Sequence, residues 1–429
     1  MKNLTSLSRE ELLAEKALLE KRYEEKKALG LKLNISRGTP CPEQLALSLP
    51  MLDLINSKTE DFKCEGGFDI RNYGVVEGIP EARKLFAEIL DAKPEEVIVT
   101  GNSTLKLFYD LLGHAICQGV PGGDTPWSEE KHRKLLCPVP GYDRHFAAGE
   151  QFGFELVPVP MNENGPDMDL VEELIKDPAV KAIICVPKYS NPEGISYSDK
   201  VVRRFAALSP AAKDFRIFWD NAYVVHDLDP DGDVDEVPSL LRLAEENGKE
   251  DMVYMFASTS KVTFPTAGLA AVACSKTNWD DLKKALSFQN IGPDKVNQMR
   301  HVLFFRDLAG VKAHMKKQAA IIRPKFEAVL RVLSTELSES GVASWTKPKG
   351  GYFITAALYP GTAKRTVALC KDAGLTLTGA GSVYPHGIDP KDSVLRIAPT
   401  FAPLTDIPDA IEIFGISAKL AACEVLLTQ

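Results

Sequence analysis

The sequence predicts an α/β chain of two domains, a large one built on a mostly parallel sheet and a smaller α+β one after it. Three observations carry that expectation. Short unbroken apolar runs recur with helical segments between most of them, the pattern of strands buried on both faces. The chain has 429 residues, more than one core comfortably holds. From about residue 343 the pattern shifts to short strands interleaved with helices.

The elements follow in order. Ser8 and Glu11 have capping-box spacing, Leu12, Leu13, Leu18 and Leu19 supply an apolar stripe, and Gly30 stops this first helix. Residues 34–43 break into a loop of turn formers. Seven runs read as buried strands: 97–100, 135–139, 155–159, 180–186, 215–219, 252–256 and 269–274. Helical segments such as 104–118, 169–176 and 200–208 fall between them. The stretches 279–306 and 311–337 are mostly helical, the second joining the two domains. Strands at 352–356, 375–377 and 393–397, with helices at 362–373 and 406–427, make the smaller domain. The expected division is 1–50, a helix and loop packed on the smaller domain; 51–320, the large domain; and 321–429, the small one.

Composition excludes several classes. Fifty-one basic against 59 acidic residues give a net charge of -8, with no basic run, which argues against nucleic-acid binding. No stretch approaches the roughly 20 apolar residues that span a bilayer, and the charged opening is no signal peptide. Eight cysteines are scattered without a C-x-x-C pair or other metal-ligand pattern, so reduced, buried thiols in a cytoplasmic protein and no metal site are expected.

Ligands of α/β sheets bind beyond the carboxyl ends of the strands, and four such ends carry distinctive chemistry. After 97–100, Gly101-Asn102-Ser103-Thr104 opens a helix, which suits either a phosphate site or a plain N-cap. After 180–186, Asn191-Pro192-Glu193-Gly194 is a turn whose asparagine can donate to a ring oxygen. After 215–219 come Asp220-Asn221-Ala222-Tyr223; an aspartate ending so apolar a strand is costly without a cationic partner, such as a protonated pyridine nitrogen, unless it caps the next segment. After 252–256, Ser258-Thr259-Ser260-Lys261 frames a lysine with hydroxyls, either a surface lysine or one whose pKa desolvation lowers for Schiff-base chemistry.

The four in this order resemble the fold-type-I enzymes of pyridoxal 5'-phosphate (PLP), specifically class I/II aminotransferases, and the likeness covers nearly the whole chain. Further segments extend it: Ser36-Arg37-Gly38-Thr39-Pro40, Arg71-Asn72-Tyr73-Gly74, Pro140-Gly141-Tyr142, Gly350-Gly351-Tyr352-Phe353 and Leu395-Arg396-Ile397. The resemblance implies that Lys261 holds PLP as a Schiff base and then shuttles a proton. It implies that Asp220 keeps the pyridine nitrogen protonated, and that Tyr223 and Asn191 bond the ring oxygen. Tyr142 would stack on the ring, and Ser103, Thr104, Ser258 and Ser260 would hold the phosphate. Gly38, Asn191 and Arg396 would bind substrate, Arg396 as a bidentate fork for its α-carboxylate. Tyr73 would reach the phosphate of a neighbouring subunit, which implies a homodimer with shared sites.

One departure stands out. The family carries an arginine a few residues past the lysine, whereas 262–270 holds no cation. Lys295, in Gly292-Pro293-Asp294-Lys295, is the candidate to replace it, unless it merely decorates a helix. The gap, the long N-terminal helix and the run 292–298 resemble a divergent aspartate-aminotransferase subgroup. That implies transfer from aspartate or glutamate to a 2-oxo acid such as 2-oxoglutarate. An aromatic or 2-aminoadipate donor, lyase or decarboxylase chemistry, and an amino-acid-sensing regulator remain alternatives. The last resembles proteins with an N-terminal DNA-binding domain, for which roughly 30 residues are too few.

Overall fold

The computed structural model describes residues 3–429; Met1 and Lys2 of the charged opening lie outside the described residues. The first helix, Arg9–Ala28, starts at the expected capping box, with Ser8 Oγ accepting from the Glu11 amide and the Glu11 carboxylate accepting from the Ser8 amide. Its apolar stripe is narrower than the sequence suggests. Leu12, Leu19 and Tyr23 are buried against the C-terminal helix Ile407–Leu426 and its neighbours, whereas Leu13 and Leu18 are 50% and 61% exposed. Positions 12, 19 and 23 share one helix face; 13 and 18 lie beside it. Arg22 pairs with Glu336 and Glu412, and Lys26 with Asp409, along the rim of that contact.

A two-residue strand, β1 (Leu33–Asn34), follows, and then the strands of the large sheet: β2 (Val97–Val99), β3 (Lys134–Val139), β4 (Glu155–Asn162), β5 (Gly165–Pro166), β6 (Val180–Cys185), β7 (Arg216–Asp220), β8 (Val253–Ser258) and β9 (Ala270–Cys274). Their order is β2-β9-β8-β7-β6-β3-β4-β5. Neighbours from β8 through β4 are parallel, while β9 is antiparallel to both β2 and β8. The seven expected strands are present; β5 adds an eighth, too short to leave a periodic signal. Apolar clusters cover both faces, one around Phe86, Val99 and Trp219, the other around Phe108, Phe218 and Phe256. Strand β7 starts on Arg216, only 1% exposed, whose guanidinium donates to the carbonyls of Pro121 and Phe215 and to Asn278 Oδ1.

Helices Lys276–Gln289, Lys295–Phe305 and Leu308–Leu337 lead into β10 (Ala343–Trp345), β11 (Ile354–Leu358), β12 (Leu375–Thr376) and β13 (Val394–Ile397). Strands β10, β11 and β13 form an antiparallel sheet, and β1 pairs in parallel with β12, tying the N-terminal segment to the C-terminal one. Strand β11 begins two residues later than expected, because Gly350 and Gly351 lie against Tyr189. A Cβ on Gly350 would fall 2.1 Å from that ring, and Gly351 has φ +79°. All eight cysteines are free, and only Cys117 is exposed. No helix among the described residues is long and apolar enough to cross a membrane.

Candidate active site

Because β2 and β3, β6, β7 and β8 run in one direction, their carboxyl ends open on one edge of the sheet. There they line a cavity of about 200 Å³ together with the 38–40 loop. Gly38, Ser103, Thr104, Tyr142, Asn191, Asp220, Tyr223, Ser258, Ser260 and Lys261, drawn from segments far apart in sequence, all face it. Gly38 approaches so closely that a Cβ there would lie 2.3 Å from the Phe353 ring.

Asp220 is 3% exposed. Its Oδ2 accepts from the Thr104 hydroxyl at 3.1 Å and lies 3.2 Å from His145 Nε2. Its Oδ1 has no hydrogen-bond partner. A buried carboxylate oxygen without a donor is costly, and Asp220 borders the cavity. A ring N–H brought into that cavity would supply the missing donor, so the residues present fit a protonated pyridine.

Lys261 Nζ stands 4.8 Å from the centre of the Tyr223 ring. Desolvation pushes its ammonium pKa down, and Asp220 partly opposes this. Burial drives the Tyr223 phenol well above its ordinary range, so it stays a donor. Burial likewise raises Tyr142, pushed up to about 12, and its ring meets His145 edge-on at 4.9 Å. The hydroxyls expected on a phosphate have protein partners too. Ser103 Oγ caps the helix Thr104–Gln118 by accepting from the Lys106 amide, so the N-cap reading of this loop holds. Ser258 Oγ lies 3.1 Å from Ser260 Oγ, which donates to the Asn102 carbonyl at 2.6 Å.

Arg396 extends from β13 toward Asn191, donating to its Oδ1 at 3.2 Å and to Thr378 Oγ1 at 3.3 Å, with its guanidinium 4.7 Å from the centre of the Phe353 ring. Its Nε has no partner. Tyr73 and Lys295 are not in this cavity. Both line a second one, of about 450 Å³, where Tyr73 is 75% exposed and the buried Lys295 amine donates to the Gly74 carbonyl at 2.9 Å. The Lys261 cavity therefore has no other cation in its lining.

Residues 7–429 match a family model described as aspartate amino-transferase. The chain belongs to that family. It is 43% identical over 406 residues to the aspartate aminotransferase of Corynebacterium glutamicum, covering 95% of this chain and 93% of the relative. The crystal structure of an aspartate transaminase from Corynebacterium glutamicum superposes with a TM-score of 0.96 at 41% identity, covering 99% of each chain. An alpha-aminoadipate aminotransferase from Thermus thermophilus, complexed with N-(5'-phosphopyridoxyl)-L-leucine, shares the fold at a TM-score of 0.73 and 22% identity, over 92% of this chain and 93% of that one. The protein is thus an aminotransferase of the PLP-dependent fold, with the mostly parallel sheet and smaller α+β part read from the sequence.

Sequence reasoning missed three neighbours of this aminotransferase's cavity: His145 beside Asp220, and Thr378 and Phe353 around Arg396. His145 stands three residues after Tyr142 in the first turn of the helix Asp143–Gln151, a spacing that puts both at one helix end. Thr378 carries no signal in the sequence, since only the β1–β12 pairing brings it to the site.

Proposed function

We propose that this aminotransferase binds PLP at Lys261 and moves the amino group of aspartate or glutamate to a 2-oxo acid such as 2-oxoglutarate. The observation that carries the reading is the partnerless Asp220 Oδ1, 3% exposed at the end of β7 in the cavity that Lys261 lines. The aspartate aminotransferase at 43% identity supports the donor.

Bound PLP supplies an electron sink for the substrate's Cα. Lys261 Nζ, with its pKa lowered by desolvation, serves first as the attachment point and then as the base that takes and returns the Cα proton. Asp220 would hold the proton on the ring nitrogen through its open Oδ1. Tyr223 and the Asn191 amide would donate to the ring oxygen, and Tyr142 would lie against the ring. Ser103, Thr104, Ser258 and Ser260, with the N-terminus of the helix Thr104–Gln118, face the phosphate. Arg396, held by Asn191 and Thr378, would present its fork to the α-carboxylate beside the 38–40 loop, which lines the cavity.

The same reading takes the chain as a homodimer, with the large domain at 51–320 and the remainder around the C-terminal sheet. Tyr73 lies beside exposed Ile291, the Gly74 amide donating to the Ile291 carbonyl, and Phe288 is 83% exposed. A second copy would cover this apolar patch and bring Tyr73 and Lys295 toward its own phosphate.

A half-reaction screen tests the function. Each amino acid is mixed with the PLP-loaded protein and the decay of the visible absorbance is timed. Fastest conversion by aspartate or glutamate is expected; conversion only by aromatic donors or 2-aminoadipate, or release of a lyase or decarboxylase product, would overturn it.

A further inference from the structure

The segment 259–268, which follows β8 and contains Ser260 and Lys261, is anchored from beneath by neutral side chains. His301, fully buried in the helix Lys295–Phe305, lies with Nε2 3.2 Å from Thr259 Oγ1 and 3.0 Å from Thr263 Oγ1. Its Nδ1 is 2.8 Å from the Asn297 carbonyl, which can only accept, so Nδ1 carries the proton of the neutral ring and Nε2 is an acceptor that the two hydroxyls share, Thr263 Oγ1 lying also 3.2 Å from the Thr259 carbonyl. Burial lowers the imidazole pKa to about 4, which keeps the ring neutral at physiological pH. Thr259 Oγ1 also accepts from the Leu269 amide at 2.8 Å, and Asn297 donates to the carbonyls of Ala267 and Gly268. One helix thus grips both ends of a segment that has no cation after Lys261.

Thr259 stands between Ser258 and Ser260, and Thr263 stands two residues after Lys261. Ser258, Ser260 and Lys261 line the cavity while Thr259 and Thr263 are buried behind it at 3% and 1% exposure. The hydroxyls that meet His301 are therefore interleaved with the groups that meet the ligand. A shift of the imidazole would re-aim both sets together.

We propose that His301 is a positioning residue: as a neutral hydrogen-bond acceptor for Thr259 and Thr263, it sets the aim of Lys261 and its flanking serines toward the PLP phosphate and C4′. The role rests on the reading of Lys261 as the cofactor lysine. It also accounts for how the segment after Lys261 is held without a cation of its own. The neutral network supplies the rigidity an ion pair would otherwise give, and leaves the phosphate to hydroxyls, helix amides and any cation from a second copy.

The test compares wild type with His301→Leu, which removes the acceptor, and His301→Gln, which restores one. PLP affinity is measured by titrating apoenzyme, folding by the apoenzyme melting temperature, and the lysine's setting by the pH midpoint of the bound cofactor's visible band. The leucine variant should fold, bind PLP roughly tenfold or more weakly because the buried hydroxyl pair loses one acceptor and Thr263 keeps only its contacts to Thr259, and shift the midpoint. The glutamine variant should return both to within about threefold and a few tenths of a pH unit of wild type. A folded leucine variant with unchanged affinity or an unmoved midpoint overturns the proposal, as do equal losses in both variants. If the leucine variant does not fold, Thr263→Val decides by the same two readouts, unchanged values again overturning it. Borohydride labelling of wild type separates the two levels. A label on another lysine sinks the reading beneath, whereas a label on Lys261 with indifferent variants sinks only this inference.

Discussion

Replacing Asp220 by asparagine keeps the side chain's shape and removes its charge. In the structure Oδ2 takes the Thr104 hydroxyl and faces His145, while Oδ1 is buried with no donor. The amide oxygen of the variant can keep the Thr104 bond, which turns the NH₂ toward the cavity. Two donors then oppose each other where a carboxylate met a ring N–H, and the ring nitrogen gives up its proton. Removing one partner of a buried ion pair costs about 3–5 kcal/mol, which corresponds to about 150- to 5,000-fold in kcat/KM. The fold should be indifferent, because a neutral amide is cheaper to bury than a carboxylate. Asp220→Asn and wild type should be compared by steady-state kinetics with aspartate and by apoenzyme melting temperature. A kcat/KM within tenfold of wild type would show that this carboxylate caps the segment after β7 and has no electronic part.

Lys261→Ala should abolish transamination and leave PLP removable by dialysis; borohydride labelling of any other lysine in wild type would refute the assignment. Arg396→Leu should raise KM by about 30-fold or more for every amino-acid donor alike, since a charged group left without its partner in a buried pair costs about 2–5 kcal/mol; an unchanged KM across donors removes Arg396 from the site. Lys295→Ala should weaken PLP binding and flatten its dependence on salt in direct titrations, and unaltered affinity would return Lys295 to a purely structural bond with Gly74. His226 makes a prediction about pH. Burial, reinforced by Lys261, lowers its pKa to about 3, whereas the unfolded chain protonates it near 6.5. Its contribution is complete above pH 6.5 and drains as pH falls toward 3, by up to about 1.4 kcal/mol per pH unit. His226→Phe has no proton to take up, so urea melts at pH 7.5 and 5.0 should differ by about 2 kcal/mol less than in wild type; equal differences would refute the assignment.

The sheet was legible because the central strands are mostly apolar runs covered on both faces. Runs such as 180–186 and 252–256 are too short for an ordinary helix and rich in β-branched or aromatic residues, which favours strands. The cavity was legible from the order of its parts, since Gly101–Thr104, Asn191, Asp220–Tyr223 and Ser258–Lys261 each follow a strand and parallel strands end together. What stayed hidden depends on distance in sequence. The Thr104 hydroxyl turns to Asp220, 116 residues on, and so serves the carboxylate as well as standing near the phosphate loop. Arg396 meets Asn191 from 205 residues away. Leu13 and Leu18 misled because a run of leucines does not say how wide a face the partner helix covers, and here a single narrow stripe suffices. Arg216 inside a buried strand defied composition, since only the fold shows the carbonyls of Pro121 and Phe215 that receive its guanidinium.

These partners bear on how the site manages charge. Lys261 and Asp220 are the one cationic and the one anionic side chain lining the cavity, and the residues around them are hydroxyls, two tyrosines, the Asn191 amide and small or aliphatic groups. Arg396 stands just outside, its fork shared with Asn191 and Thr378. On the proposed reading, a cofactor phosphate in this cavity would meet dipoles and no cation besides Lys261, and its grip would depend on how accurately those dipoles point. Accuracy in turn depends on the helix Lys295–Phe305, whose His301 and Asn297 hold the segment carrying Lys261. The same helix begins at Lys295, which fastens the Tyr73–Gly74 turn through the Gly74 carbonyl. One helix thus touches both the segment carrying Lys261 and the exposed Tyr73–Gly74 turn, so on the proposed reading it links the cofactor lysine to the face a second copy would cover.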